Sequence, residues 1–184
     1  MINKYLLIFI LIIALFLAFF YRKPNNLIRL NNEDDVYAPS HGTIMDIIYN
    51  SDNTITIPVF LSVLDIHRQT FPISGLILDV QYDNTGKFEL AYKINKSNLN
   101  EKVIHTVINK NGIFKIIQIS GLLARRIKYY NNPNTYIQNG SDLGLIHFGS
   151  RVDLIIPNAD KFSLFVKKND IMHGTSTLIG KYNS

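Results

Sequence analysis

Hydrophobic positions fall into two regimes along this chain. From Tyr5 to Tyr21 the sequence YLLIFILIIALFLAFFY carries no charge and no polar gap, so it has neither an amphipathic stripe nor a strand alternation. A run of 17 such residues is the short end of what crosses a bilayer as a helix, and residues 1–24 are predicted to be a single-pass N-terminal membrane anchor. A cleaved signal peptide is the rival reading. The apolar run is long for one, and no clear small-x-small cleavage site comes before Arg22 and Lys23. Residues 25–35, NNLIRLNNEDD, read as a polar connector ending in Glu33, Asp34 and Asp35.

Beyond the connector, over residues 36–184, the apolar segments are short and rich in Ile, Val, Phe and Tyr. Turn signals separate them: Asp52-Asn53, Asn84-Thr85-Gly86, Asn109-Lys110-Asn111-Gly112 and Asn139-Gly140. Strands are predicted at Thr43–Tyr49, Thr54–Ser62, Leu76–Tyr82, Phe88–Lys93, Lys102–Asn109, Ile113–Ser120, Leu143–Phe148, Val152–Ile156, Phe162–Val166 and Thr177–Ile179. Short helices are predicted at Leu64–Gln69 and Leu122–Lys128, and no long amphipathic period exists for a bundle. The fold class expected is mainly β with a few short helices (α+β), one compact domain behind an N-terminal transmembrane helix.

The net charge of +5 suggests nucleic acid only until it is divided along the chain. Lys4, Arg22, Lys23 and Arg29 precede residue 31 with no acid, and the remaining 15 cations meet 14 carboxylates. The body is nearly neutral, so nucleic acid is not an expected partner. Arg22, Lys23 and Arg29 outweigh Lys4, which places the body on the cytoplasmic side of a membrane and suits anionic headgroups. With no cysteine there is no thiolate nucleophile and no disulfide framework. The histidines, His41, His67, His105, His147 and His173, show no zinc-type pairing, and no metal is expected.

The chemistry concentrates at Phe148-Gly149-Ser150-Arg151-Val152-Asp153, between the apolar segments Leu143–Ile146 and Val152–Pro157. A serine after a flexible glycine, at the mouth of a strand pair, can attack its own backbone, which would make the chain a self-processing proenzyme. Several blocks then stand together: Phe20-Tyr21-Arg22-Lys23-Pro24; Ala38-Pro39-Ser40-His41-Gly42; Phe60 to His67 with its Leu64-Asp65-Ile66-His67 end; Pro72-Ile73-Ser74-Gly75; Gln118-Ile119-Ser120-Gly121-Leu122-Leu123-Ala124-Arg125-Arg126; and Gly144 to Asp153. In order and spacing they resemble the short-type phosphatidylserine decarboxylase proenzymes, over nearly the whole chain.

The resemblance implies autocatalytic cleavage at Gly149-Ser150, with Ser150 converted into a covalent pyruvoyl group and the two fragments remaining associated. It implies decarboxylation of phosphatidylserine to phosphatidylethanolamine, the pyruvoyl acting as the electron sink that pyridoxal cofactors provide elsewhere. His67 is the implied proton-transfer residue. Arg125, Arg126 and Arg151 are candidates for binding the lipid phosphate or carboxylate, with structural ion pairs to Asp153 or Asp65 as the equal alternative. The expected partners are a phospholipid substrate and a membrane, with a homo-oligomer left open.

One departure stands out. The family usually has Pro-Ala-Asp-Gly where this chain has Pro39-Ser40-His41-Gly42, and the family aspartate helps orient the histidine that drives cleavage. Either His41 is itself a base, or Asp46 or Asp65 substitutes, or processing fails. The last case would make the chain an unprocessed, inactive, membrane-anchored lipid-binding relative; a generic β-rich binding module ranks behind both.

Overall fold

Alternation of buried and exposed side chains builds the body. In a computed structural model describing residues 3–24, 32–84, 86, 89–121, 126–147 and 149–183, Val103, His105 and Val107 turn inward while the residues between them are half-buried. That period of two marks a sheet with one face on a core. The helix α1 (Lys4–Phe20) precedes β1 (Asp35–Tyr37), β2 (Gly42–Ile44), β3 (Ile48–Tyr49), β4 (Ile55–Leu61), β5 (Arg68–Thr70) and β6 (Gly75–Asp83). The short helix α2 (Ile94–Ser97) follows, then β7 (Lys102–Asn109), β8 (Gly112–Ile119), β9 (Ile127–Tyr129), β10 (Tyr136–Ile137), β11 (Asp142–Ile146) and β12 (Ser150–Ile156). A single 3-10 turn at Ala159–Lys161 leads to β13 (Phe162–Leu164), β14 (Ile171–Met172) and β15 (Leu178–Tyr182).

The largest sheet has nine strands in the order β10-β6-β7-β8-β12-β4-β2-β14, with β3 also on β4. Two three-stranded sheets, β1-β15-β13 and β5-β11-β9, complete the body. The strand β12 lies antiparallel between β4 and β8, and its Val152, Leu154 and Ile156 join Ile57, Val59, Leu61 and Ile116 in the fully buried core. The chain changes sheet between β11 and β12, so Ile146 and Ser150, the facing ends of the two strands, belong to different sheets.

The mainly β expectation holds, and five local expectations are corrected. The strand predicted at Phe88–Lys93 is not one: residues 89–93 turn into α2, and Phe88 lies outside the described residues. The helix predicted at Leu64–Gln69 is a turn running into β5, because Asp65 folds its carboxylate back onto the Ser62 N–H at 2.7 Å and Arg68–Thr70 pair with β11. Of the helix predicted at Leu122–Lys128, residues 122–125 lie outside the described set and Ile127 begins β9. Thr43–Tyr49 is two strands, broken where the Asp46 side chain accepts from the Ile47 N–H at 3.1 Å. Of the connector, residues 25–31 lie outside the described set, and its end, Asp35, already pairs with β15.

A sixth correction concerns the anchor. Among the described residues no helix is long and apolar enough to cross a membrane. The helix α1, capped by the Asn3 side chain on the Tyr5 N–H at 3.0 Å, ends after 17 residues. At about 1.5 Å per residue it rises about 26 Å, against a hydrocarbon core about 30 Å thick. Its apolar side chains are exposed all round, and Phe20 alone is fully buried.

Candidate functional site

Ser150 opens β12 opposite Leu61, the last residue of β4. It is completely buried, and its Oγ has no hydrogen-bond partner among the described residues. Burying a hydroxyl unpaired is costly, so such a group marks a place where the fold gives up stability. Gly149 before it has φ +70, a left-handed conformation that L side chains rarely adopt, and open space where a Cβ would stand. Gly121 is packed so tightly on the other side that a Cβ there would fall 1.8 Å from the Gly149 carbonyl oxygen. Glycine at 121 is therefore what lets the backbone close on the carbonyl of the step.

His67 arrives from the opposite direction. After Leu61 the chain makes the Ser62–Asp65 turn, and the Asp65 backbone oxygen lies 2.9 Å from His67 Nδ1. A carbonyl only accepts, so Nδ1 carries the hydrogen and Nε2 holds the lone pair of the neutral ring. That Nε2 is buried and without a partner among the described residues. Burial pushes the ring's pKa below the ordinary histidine value, opposed by the Asp65 hydrogen bond and charge and assisted by Arg22 and His147. The two segments are tied twice: Ser150 pairs with Leu61, and the Ile146 N–H donates to the His67 carbonyl at 3.4 Å. Ser150 thus brings a buried hydroxyl to the start of β12, and His67 a buried, unprotonated imidazole nitrogen to the turn that precedes β5.

A relay of buried amides supports His67 from behind. Gln69 Nε2 donates to the His67 carbonyl at 2.6 Å, and Gln118 Nε2 donates to Gln69 Oε1 at 2.9 Å. This leaves Gln118 Oε1 to accept from His105 Nε2 at 3.1 Å, which fixes the tautomer of His105 as well. Burial brings the His105 pKa down to about 4, so it stands as a neutral donor.

The last turn of α1 covers the corner. The Phe20 ring stacks on His67 at 4.2 Å between centroids, and the Tyr21 hydroxyl lies 2.7 Å from His147 Nδ1. His41 is half-buried with its ring 5.6 Å from that of His173, and its Nε2 also lacks a partner. Burial and His173 push its pKa down while Asp65 pulls it up, so His41 and His67 share the field of Asp65. Thr70 N–H donates to the Pro39 carbonyl at 2.9 Å, tying the His41 segment to β5. Of the two carboxylates weighed as substitutes for the family aspartate, Asp46 instead faces Lys168 at 3.4 Å.

The three arginines separate. Arg151 is 1 % exposed and wholly engaged inside the body. It makes a two-pronged pair with Asp153 at 2.8 and 2.7 Å, donates to Ser97 Oγ at 2.6 Å and the Ile94 carbonyl at 3.0 Å, and bonds Asn98 Oδ1. This corrects its assignment as a lipid ligand: the structural ion pair is the alternative that holds. Arg126 is exposed at the rim, where its carbonyl accepts from the His147 N–H at 3.2 Å and its charge holds down the His147 pKa, second to burial. Arg125 lies outside the described residues. Phe20, Tyr21, Gln118, Gly121 and His147 stood inside the quoted sequence blocks without being assigned a role.

Comparison with known proteins agrees with this geometry. The family model described as phosphatidylserine decarboxylase matches residues 13–180. A phosphatidylserine decarboxylase proenzyme of Carboxydothermus hydrogenoformans is 30% identical over 187 residues, covering 98% of this chain and 86% of the relative. That of Cytophaga hutchinsonii is 31% identical over 189 residues, covering 99% and 84%. That of Bacteroides fragilis is 32% identical over 178 residues, covering 93% and 77%.

Proposed function

This chain belongs to the phosphatidylserine decarboxylase family, and we propose that its Ser150 corner is where it cuts itself and then removes carbon dioxide from phosphatidylserine, giving phosphatidylethanolamine. The observation that carries the reading is the pair of unpartnered buried atoms, Ser150 Oγ and His67 Nε2, on segments tied to each other at both ends.

His67 Nε2 takes the hydroxyl proton of Ser150. Oγ bonds to the Gly149 carbonyl carbon, and the C–N bond to residue 150 breaks, giving an ester. Removal of the residue 150 α-hydrogen expels the Gly149 carboxylate, and water then replaces the nitrogen, which leaves as ammonia. A ketone remains on residue 150, the covalent pyruvoyl group. Catalytic hydrogen bonds are often loose before the reacting geometry is reached, so the absence of a direct Ser150–His67 bond is compatible with this role. Asp65 takes the orienting part that the family aspartate plays elsewhere, through its carbonyl on Nδ1 and its charge nearby. His41 shares that field and serves the same corner as a second imidazole.

The residues fit the group: Ser150 is enclosed, and the open space beside Gly149 lets the cut end withdraw. Once formed, the pyruvoyl supplies an electron sink for the pair released with carbon dioxide. Phe20 and the buried core strands keep water away from His67, which favours loss of a carboxylate. Arg126 stands at the rim as a cation for the lipid's anionic groups. The apolar helix α1 seats in the lipid as an anchor short of a full span, keeping the site beside a substrate that stays in the bilayer.

Expression in cells lacking their own decarboxylase tests the substrate. Serine lipid should fall and ethanolamine lipid should appear. A correctly cut chain with no ethanolamine lipid would overturn the assignment, and an uncut chain with unchanged lipids would favour the inactive lipid-binding relative.

A further inference from the structure

A cavity of about 440 Å³ opens where the chain leaves α1, lined by Arg22, Lys23, His41, Ile66, His173 and Ser176 among others. We propose that it is the binding site for the phosphodiester of the lipid headgroup; the proposal rests on the decarboxylase reading above.

Charge is the first argument. Two permanent cations and two imidazoles line the cavity, and no carboxylate lines it among the described residues. The groups facing His41 electrostatically are His173, Asp65 and Arg22. Of these, Asp65 already has its carboxylate on the Ser62 N–H at 2.7 Å. An anion entering here meets cations whose attraction it strengthens in a half-buried setting.

Preorganisation is the second. Arg22 lies 3.8 Å over the Phe19 ring and donates to the Phe19 carbonyl at 2.7 Å and the Leu64 carbonyl at 2.8 Å, so its guanidinium is held without an acid. His41 Nε2 is buried without a partner among the described residues, one hydrogen-bonding position that they leave unfilled. A phosphate oxygen would fill it.

Placement is the third. Residues 22–24 follow directly on the apolar helix, at the depth where phosphates lie if α1 sits in lipid. Ile66 in the cavity wall precedes His67, so a phosphate held here leaves the serine end of the headgroup beside the Ser150 corner. Arg151, fully buried in the body, is engaged with Asp153 and α2 and offers no competing site.

The test uses the full-length protein and the single variants Lys23→Gln and His173→Gln. Both side chains are exposed, so neither change threatens the fold. Self-cleavage read by intact mass should be unchanged. With phosphatidylserine vesicles KM should rise about tenfold, the size of one lost charge-assisted hydrogen bond, with kcat within about twofold. Soluble glycerophosphoserine should shift the His41 and His173 imidazole resonances in the parent protein, serine alone should not, and each variant should weaken the response about tenfold. Unchanged KM, or equal responses to serine and glycerophosphoserine, would overturn the proposal. Inorganic phosphate binding more tightly than the diester would overturn the lipid as the source of the anion. A parent protein that stays uncut yet answers to glycerophosphoserine would sink the decarboxylase reading and leave the anion site standing.

Discussion

Ser150 and Arg151 are neighbours on one strand, both buried, and the fold treats their polar atoms in opposite ways. Every guanidinium nitrogen of Arg151 has a partner, and Asp153 two residues on supplies both oxygens. Among the described residues Ser150 Oγ has none, nor does His67 Nε2. A buried charge left unpaired is strongly destabilising, so the Arg151 corner is built to completion. The Ser150 corner carries the opposite signature, unpaired groups at a cost to stability, which is what a reacting pair requires. Alternation along β12 points the two side chains to opposite faces, so the strand holds a structural centre on one and a reactive one on the other.

The sharpest way to break the comparison is Ser150→Ala. Cleavage should vanish outright, with thermal stability equal to or above that of an uncut parent, since an unpaired hydroxyl is removed; a cut chain, read by denaturing gel, would refute the nucleophile. Next is His67→Gln, which should slow cleavage about 10²- to 10⁴-fold. The parent's cleavage rate should be flat near neutrality and fall as pH drops through a midpoint below the ordinary histidine value, because burial holds the His67 pKa down. A midpoint above that value would contradict the assignment.

Arg151→Met tests the other corner. Leaving Asp153 buried without its cation should lower stability by about 3–5 kcal/mol in denaturant titration. Burial already pushes the Asp153 pKa up against the pull of Arg151, so the variant's loss should be partly relieved at acid pH, where the carboxyl is neutral. The smallest effect belongs to the relay. His105 has a folded pKa of about 4 against an ordinary 6.5, so the unfolded chain binds its proton first as pH falls. Stability should be fully present above about 6.5 and decline toward 4, by about 3 kcal/mol from this group. Melting curves of the parent and His105→Gln across that window check it: the variant should lose less.

Much of the body was legible because its strands alternate or run apolar between turn signals. Lys102–Asn109 matches β7 at both ends, and Asn109 to Gly112 makes the hairpin into β8. What escaped was decided by tertiary pairing: β5 and β9 are three residues each, and both exist only because β11 lies between them. A three-residue strand has no period to detect. At the site, the Gly149-Ser150 step was legible from its residue types, whereas His67, one of five histidines, was singled out only by the family resemblance. Phe20 and Tyr21 were masked by the apolar run they close, and nothing in that run says which ring will be buried on His67. Gln118 read as an ordinary strand polar and Gln69 as the end of a short helix until β5 and β8 bring them together. For Arg151 the sequence left two readings level, an anion ligand beside the serine or an ion pair with Asp153 or Asp65, and only burial of both side chains decides for Asp153.

The most direct test is the intact mass of the purified protein under denaturing conditions. Two fragments meeting at Gly149 and Ser150, the smaller without a free amine and ending in a ketone, are the predicted result. A single uncut chain would contradict the claim that the unpaired Ser150 and His67 form a reactive pair.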